Sequence, residues 1–181
     1  MDTNRIKLWW LLLILPLLMG CPFGEERCFD DHARVTKMDD LASLAPIRDT
    51  FNQGEVITFV LAIPDSVFFY DDFISLINKT GDQMPRLVSG DVDLFTDNHL
   101  SFEYGGQGDK VNWFYLEFLP EDEIFSLEIN VTLIRPGIYK VPVWIFETTF
   151  KGKDKCDLYR VDTKIKGFKP GEFYEFYVGD I

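Results

Sequence analysis

Phe125-Ser126-Leu127-Glu128-Ile129-Asn130-Val131-Thr132-Leu133 alternates apolar and polar residues without a fault. Successive side chains of a strand point to opposite faces, so this run gives one wholly apolar face and one polar face. A helix would scatter the same residues around its circumference. The run therefore predicts a half-buried antiparallel strand. Upstream, Pro120-Glu121-Asp122-Glu123 breaks it from Val111–Leu119, where Phe114, Leu116 and Phe118 share a face. Downstream, Arg135-Pro136-Gly137 turns the chain into Ile138–Thr148, where Tyr139, Val141, Val143 and Ile145 point one way. Pro142 inside that run lacks a ladder donor, which predicts an edge or a bulge.

The pattern extends in both directions. Ile57, Phe59, Leu61 and Ile63 line one face of an earlier strand. Leu87–Thr96, with a bulge at Gly90, and the Leu100, Phe102, Tyr104 alternation predict two more. Cys156–Lys166 and Phe173–Val178 close the chain in the same style. Gly105-Gly106-Gln107-Gly108-Asp109 reads as a hairpin loop, since no strand feeds through it into a helix as a phosphate cradle requires. Ala33–Met38 reads as a first edge strand, and Asp40–Ala45 as a helical turn or loop. The spacing of Ser66–Asn78 allows a short helix as well as a strand pair, and the stretch reads as an irregular aromatic loop leading to a strand at Phe73–Ile77. About seven to nine short strands with turns between them predict an all-β fold. The expected form is a two-sheet antiparallel sandwich, Ig-like or fibronectin-like, with a small barrel as the alternative. The Cys–Trp–Cys spacing of immunoglobulin domains is absent, so the expectation concerns architecture alone.

The chain has 181 residues and a net charge of −12. Such a charge repels phosphate backbones and excludes nucleic acid as a partner. It leaves neutral glycans, basic proteins and cations open, and it favours solubility. The two histidines, His32 and His99, sit in polar segments, and the motifs of serine hydrolases, zinc proteases and nucleotide-binding loops are absent. We therefore expect no catalytic residues, no cofactor and no metal. Asp91, Asp93, Asp97 and Asn98 have the oxygen density that calcium favours, but lack the order of an EF-hand, and a solvated strand face explains them better. A hydrolase acting on envelope or glycan polymers through paired carboxylates is the alternative from another class.

At the N-terminus, Arg5 and Lys7 precede an unbroken apolar run, Leu8–Met19. As a helix it would reach about 18 Å, short of the roughly 30 Å hydrocarbon core. It reads as an export signal rather than a membrane span. Leu18-Met19-Gly20-Cys21 resembles the lipobox of bacterial lipoproteins: Leu18, Gly20 and Cys21 match, and Met19 is a less usual occupant of the variable place. The resemblance implies a signal peptide over residues 1–20, removal before Cys21, and acylation of Cys21. It thereby implies a membrane as partner through the lipid. Two or three acyl chains hold a protein stably where one does not. Residues 21–32 then form a lipidated tether and 33–181 a single β-sandwich domain. Pro22 is not the aspartate that favours inner-membrane retention in enterobacterial lipoproteins. Glu25 and Glu26 are similar to the acidic export signal of surface lipoproteins in the Bacteroidetes group. The expected address is the outer membrane, on its periplasmic or surface face.

With Cys21 lipidated, Cys28 and Cys156 remain as an even pair in an oxidising compartment, predicted to form a disulfide, with two buried free thiols as the alternative. On the strands, Trp113 alternates away from Phe114, and Trp144 away from Val143. If Phe114 and Val143 face the core, Trp113, Tyr115, Trp144 and Phe146 face outward and offer a surface for an envelope protein or a glycan. The competing reading buries both faces. The function expected from the sequence is a non-catalytic envelope lipoprotein, a binding or accessory module. A purely structural role in envelope assembly is not separated from it.

Overall fold

The structure is a computed structural model that describes residues 33–90, 92–143, 146–153, 157–169 and 171–180. The first strands are β1 (Arg34–Lys37), β2 (Ala42–Ala45), β3 (Thr50–Asn52) and β4 (Val56–Pro64). A hairpin of β5 (Ser66–Phe69) and β6 (Asp72–Ser75) leads into helix α1 (Leu76–Thr80). Then come β7 (Arg86–Val88), helix α2 (Asp93–Thr96), β8 (His99–Tyr104) and β9 (Gly106–Gln107). The chain continues through β10 (Trp113–Tyr115), β11 (Glu117–Leu119), β12 (Ile124–Thr132) and β13 (Gly137–Pro142). It ends with β14 (Phe146–Lys151), β15 (Leu158–Thr163) and β16 (Phe173–Gly179).

The fold is all-β and sandwich-like. A six-stranded sheet runs β1-β15-β14-β7-β10-β9, and a five-stranded sheet runs β11-β12-β4-β2 with β8 also on β12. A three-stranded sheet, β13-β16-β3, and the β5–β6 hairpin complete it. The alternating run that opens at Phe125 is β12, paired antiparallel with β4 along its whole length. Ile57, Phe59, Leu61 and Ile63 of β4, with Phe125, Leu127, Ile129 and Val131 of β12, are fully buried. Each such side chain contributes about 1.5–3 kcal/mol by leaving water. The two larger sheets face each other through aromatic pairs: Phe59 on Phe146 at 5.2 Å and Phe125 on Phe150 at 4.9 Å between ring centroids. Phe95 of α2 closes one end, edge-on to both Phe59 and Phe114.

The structure corrects the sequence reading in several places. Among the described residues there are sixteen strands, not seven to nine, because two long alternating runs divide between sheets and short strands such as β2, β3, β5 and β9 form in segments too brief to show an alternation. The pairing is also not purely antiparallel: β1 runs parallel to β15, and β3 parallel to β16. Val111–Leu119 is not one strand. Its β10 half joins the six-stranded sheet and its β11 half the five-stranded one, with buried Leu116 at the crossing. Ile138–Thr148 divides likewise: β13 lies in the three-stranded sheet and β14 in the six-stranded one. Pro142 is the last residue of β13, at a sheet edge where its missing N–H costs the ladder little. Asp40–Ala45 holds strand β2, which pairs antiparallel with β4 and buries Ala42 and Leu44. Ser66–Asn78 folds as a hairpin and a helix start. The Ser75 side chain caps α1 by accepting from the Asn78 N–H, and Gly81, at φ 72°, ends it. Leu87–Thr96 becomes a short strand and then one turn of helix.

Candidate functional site

Three surfaces carry chemistry-bearing side chains. The first is the outer face of the six-stranded sheet, where Trp113 and Tyr115 project beside Arg86. The β10–β7 register sets Trp113 against Val88 and Tyr115 against Arg86. Phe114, between them, is buried, so both neighbours point outward, as the alternation predicts. Both are half-buried rather than freely exposed. The Arg86 guanidinium lies 4.2 Å and the Lys110 ammonium 4.1 Å from the Trp113 ring centroid. Such contacts favour the cations at a ring face. They also occupy a surface on which a sugar ring would stack. Farther along the same face, Arg160 pairs with Asp162 at 2.9 Å and with Glu147 at 3.6 Å.

The glycine loop before Trp113 serves this corner by its size. A Cβ on Gly105, at φ 75°, would sit 2.3 Å from the Tyr115 carbonyl oxygen, and one on Gly108 would sit 3.1 Å from Trp113 Cβ. The loop therefore lies against the β10 backbone, with β9 pairing back on Phe114 and Tyr115 as a hairpin.

Phe146 does not belong to the outward set. It is 1% exposed and packs on Phe59 across the sheets. Val143 is buried as expected, but the chain changes sheets between Pro142 and Phe146, so the phase of the alternation resets. Trp144 lies outside the described residues, as do Cys21, Cys28 and Cys156. The lipidation and disulfide expectations fall there.

The second surface is a cleft of about 400 Å³ between α2 and β13, lined by Asp93, Asp97, Arg135, Ile138 and Tyr139 among others. Asp93 opens the α2 turn rather than a strand face, and Asp97 forms an ion pair with Arg135. Asp91 is outside the described residues. Asn98 ties the floor: its Nδ2 donates to the Leu94 carbonyl at 2.9 Å, and its Oδ1 accepts from the Ile134 N–H at 3.0 Å. The Tyr139 hydroxyl lies 3.1 Å from that Oδ1 and 2.9 Å from the Arg135 carbonyl oxygen. Burial raises the Tyr139 pKa above that of an ordinary phenol. Among the described residues no group of three or more His, Cys, Asp or Glu side chains is arranged to hold a metal ion.

The third surface was not singled out by its sequence. Phe68, Tyr70 and Phe73, on the β5–β6 hairpin, are 47%, 70% and 69% exposed. Phe68 opposes Phe73 in the register, and their rings lie 5.1 Å apart. The aromatic density of Ser66–Asn78 was a signal of this surface, but only the hairpin register shows which rings face out.

Comparison of the chain with family models, with curated proteins and with solved structures finds no match.

Proposed function

We propose that the chain is a non-catalytic, lipid-anchored protein of a bacterial outer membrane, working as a binding or accessory module. The observation that carries this reading is the Arg5–Cys21 segment: a positive start, a short apolar run and Leu18-Met19-Gly20-Cys21 in lipobox order. Exposed aromatic side chains on a firmly packed β scaffold support a binding role. A membrane, reached through lipid on Cys21, is one partner, and an envelope protein or a glycan the other. An Ig-like or fibronectin-like sandwich architecture is part of this proposal, supported by the facing of the two larger sheets. Fractionation of wild type and Cys21→Ala tests the anchor. The wild type is expected in the outer-membrane fraction, with acyl chains found by mass on its N-terminal peptide. An unacylated, soluble wild type would sink the reading.

Within this proposal, Trp113 is the residue to test first for partner binding. A folded Trp113→Ala variant is expected to lose partner affinity by about tenfold or more, as for a central aromatic anchor. Equal affinity would move the site elsewhere.

A second reading, a hydrolase working through carboxylates, has one observation in its favour: Asp93 and Asp97 line one cleft. Against it, Asp97 is already held by Arg135. Release of reducing ends from an envelope glycan that is abolished by Asp93→Asn would establish it.

A further inference from the structure

The β5–β6 hairpin is built to present apolar rings to something outside the domain. Its inward residues are fixed: Val67 is buried, and Phe69 packs edge-on against Tyr159 at 5.4 Å. The Thr36 hydroxyl of β1 donates to the Phe68 carbonyl oxygen at 2.9 Å. The outward rings of Phe68 and Phe73, with Tyr70 at the turn, are thus held on a braced hairpin and not on a loose loop. Leaving large aromatics in water is unfavourable, and the exposed, mutually packed rings of Phe68 and Phe73, with Tyr70 exposed nearby at the turn, mark an interaction surface.

The place of the hairpin says what meets it. Arg34, the first residue of β1, donates to the Tyr159 hydroxyl at 2.7 Å, while the Tyr159 ring carries Phe69. The start of β1 therefore lies one side chain away from the hairpin. From Cys21 to Ala33, a fully extended tether spans at most about 40 Å. A lipid on Cys21 would hold this end of the domain within that distance of the bilayer. Tethering makes the contact intramolecular, so a weak preference of each ring for the interface suffices. Tyr70 suits that layer with an apolar body and a polar tip, and the wholly apolar rings of Phe68 and Phe73 suit its acyl side. Asp71 and Asp72 are exposed at the turn, which disfavours an anionic surface and favours neutral head groups.

We propose that the β5–β6 hairpin rests with its Phe68–Phe73 face in the head-group region of the bilayer holding the chain's own lipid anchor. This rests on the Cys21 reading above, and it makes the domain lie on the membrane instead of swinging free on its tether.

The test uses the full lipidated chain in vesicles of neutral phospholipid with brominated acyl chains, which quench nearby indoles. The indole introduced by Phe73→Trp, read above the wild-type background, is expected to lose emission relative to the same vesicles without bromine, since it sits at the interface. One introduced by Ile138→Trp, on the outer face of the three-stranded sheet, is expected to stay unquenched. Both positions are exposed, so neither substitution threatens folding. Adding anionic lipid should weaken the quenching of the first. No added quenching from Phe73→Trp, or equal quenching at both positions, overturns the proposal. The mass of the N-terminal peptide from the same sample separates the two failures. Acylated Cys21 without quenching overturns the hairpin docking and leaves the anchor standing, while an unacylated chain removes both.

Discussion

The β4–β12 pair and the runs Val111–Leu119 and Ile138–Thr148 carry the same period-two pattern, yet they do different things. β4 and β12 stay in one sheet, paired residue for residue from Val56 to Pro64. The other two runs each leave one sheet and enter another, at Leu116 and between Pro142 and Phe146. A continuous apolar alternation reports that one face is buried at each step. It does not report that the face belongs to the same sheet throughout. At Leu116 the phase survives the crossing, because Phe114 and Leu116 are both fully buried. After Pro142 it does not, because Val141 and Val143 are buried on odd positions and Phe146, Thr148 and Phe150 on even ones.

The sharpest way to break this comparison is Phe146→Ala. If Phe146 belongs to the interior between the sheets, as Leu127 does, its truncation costs about 3–5 kcal/mol, comparable with Leu127→Ala at about 2–5 kcal/mol. If the alternation ran unbroken and placed it outside, the cost would be within about 0.5 kcal/mol. Urea unfolding of the two variants, at equal m-values, decides it.

A smaller effect probes the strand just before the crossing. Tyr139→Phe removes the hydroxyl that lies between Asn98 and the Arg135 carbonyl, and is expected to cost about 1 kcal/mol. The alkaline limb should change as well. Burial raises the pKa of Tyr139, Tyr159 and Tyr174. The unfolded chain then ionises first, so stability is full below about pH 10 and falls as pH rises above it. Tyr139→Phe should flatten that fall, and an unchanged alkaline slope would refute the assignment. At the acid end, Glu55 acts in the opposite sense. The Asn52 N–H, and then Arg48, lower its pKa, so its contribution is present above the usual carboxylate range and fades as pH drops through the lowered value.

Thr148→Val probes the reset phase with the opposite sign. The Thr148 hydroxyl is fully buried without a hydrogen-bond partner among the described residues. Replacing it with an isosteric methyl is expected to stabilise the fold by up to about 1 kcal/mol, seen as a higher urea midpoint. A loss of stability would mean that the hydroxyl is satisfied or that β14 sits differently.

The fold class was legible because burial of one face leaves its mark on every strand. Ile57 to Ile63 and Phe125 to Val131 are assigned by their spacing, and Phe114 and Val143, whose inward facing the alternation leaves as a condition, lie in the core. Sheet membership was not legible, since Leu116 and Val143 look alike in sequence whether the chain bends there or runs on. That cost Phe146 its predicted place on the surface. Trp113 and Tyr115 were found on the outer face, but the cations over Trp113 come from elsewhere: Arg86 from a strand whose register only pairing fixes, and Lys110 from the turn. Phe68 and Phe73 were missed as a pair for the same reason: cross-strand neighbours are set by a turn, and Tyr70, at φ 56°, takes a conformation seldom adopted by its residue type.

The two parallel pairings bear on the order in which this chain is able to fold. β1 closes on β15 and β3 on β16, so these early strands wait for partners that are synthesised more than a hundred residues later. Closing such long loops before any contact rewards them is slow. Until residues beyond Leu158 are available, β1 and β3 have no partner and the edge of β14 stays open, a state that invites association with other chains. Any shortening of β16 from Gly179 inward should be felt first at β3, more than a hundred residues earlier in the sequence.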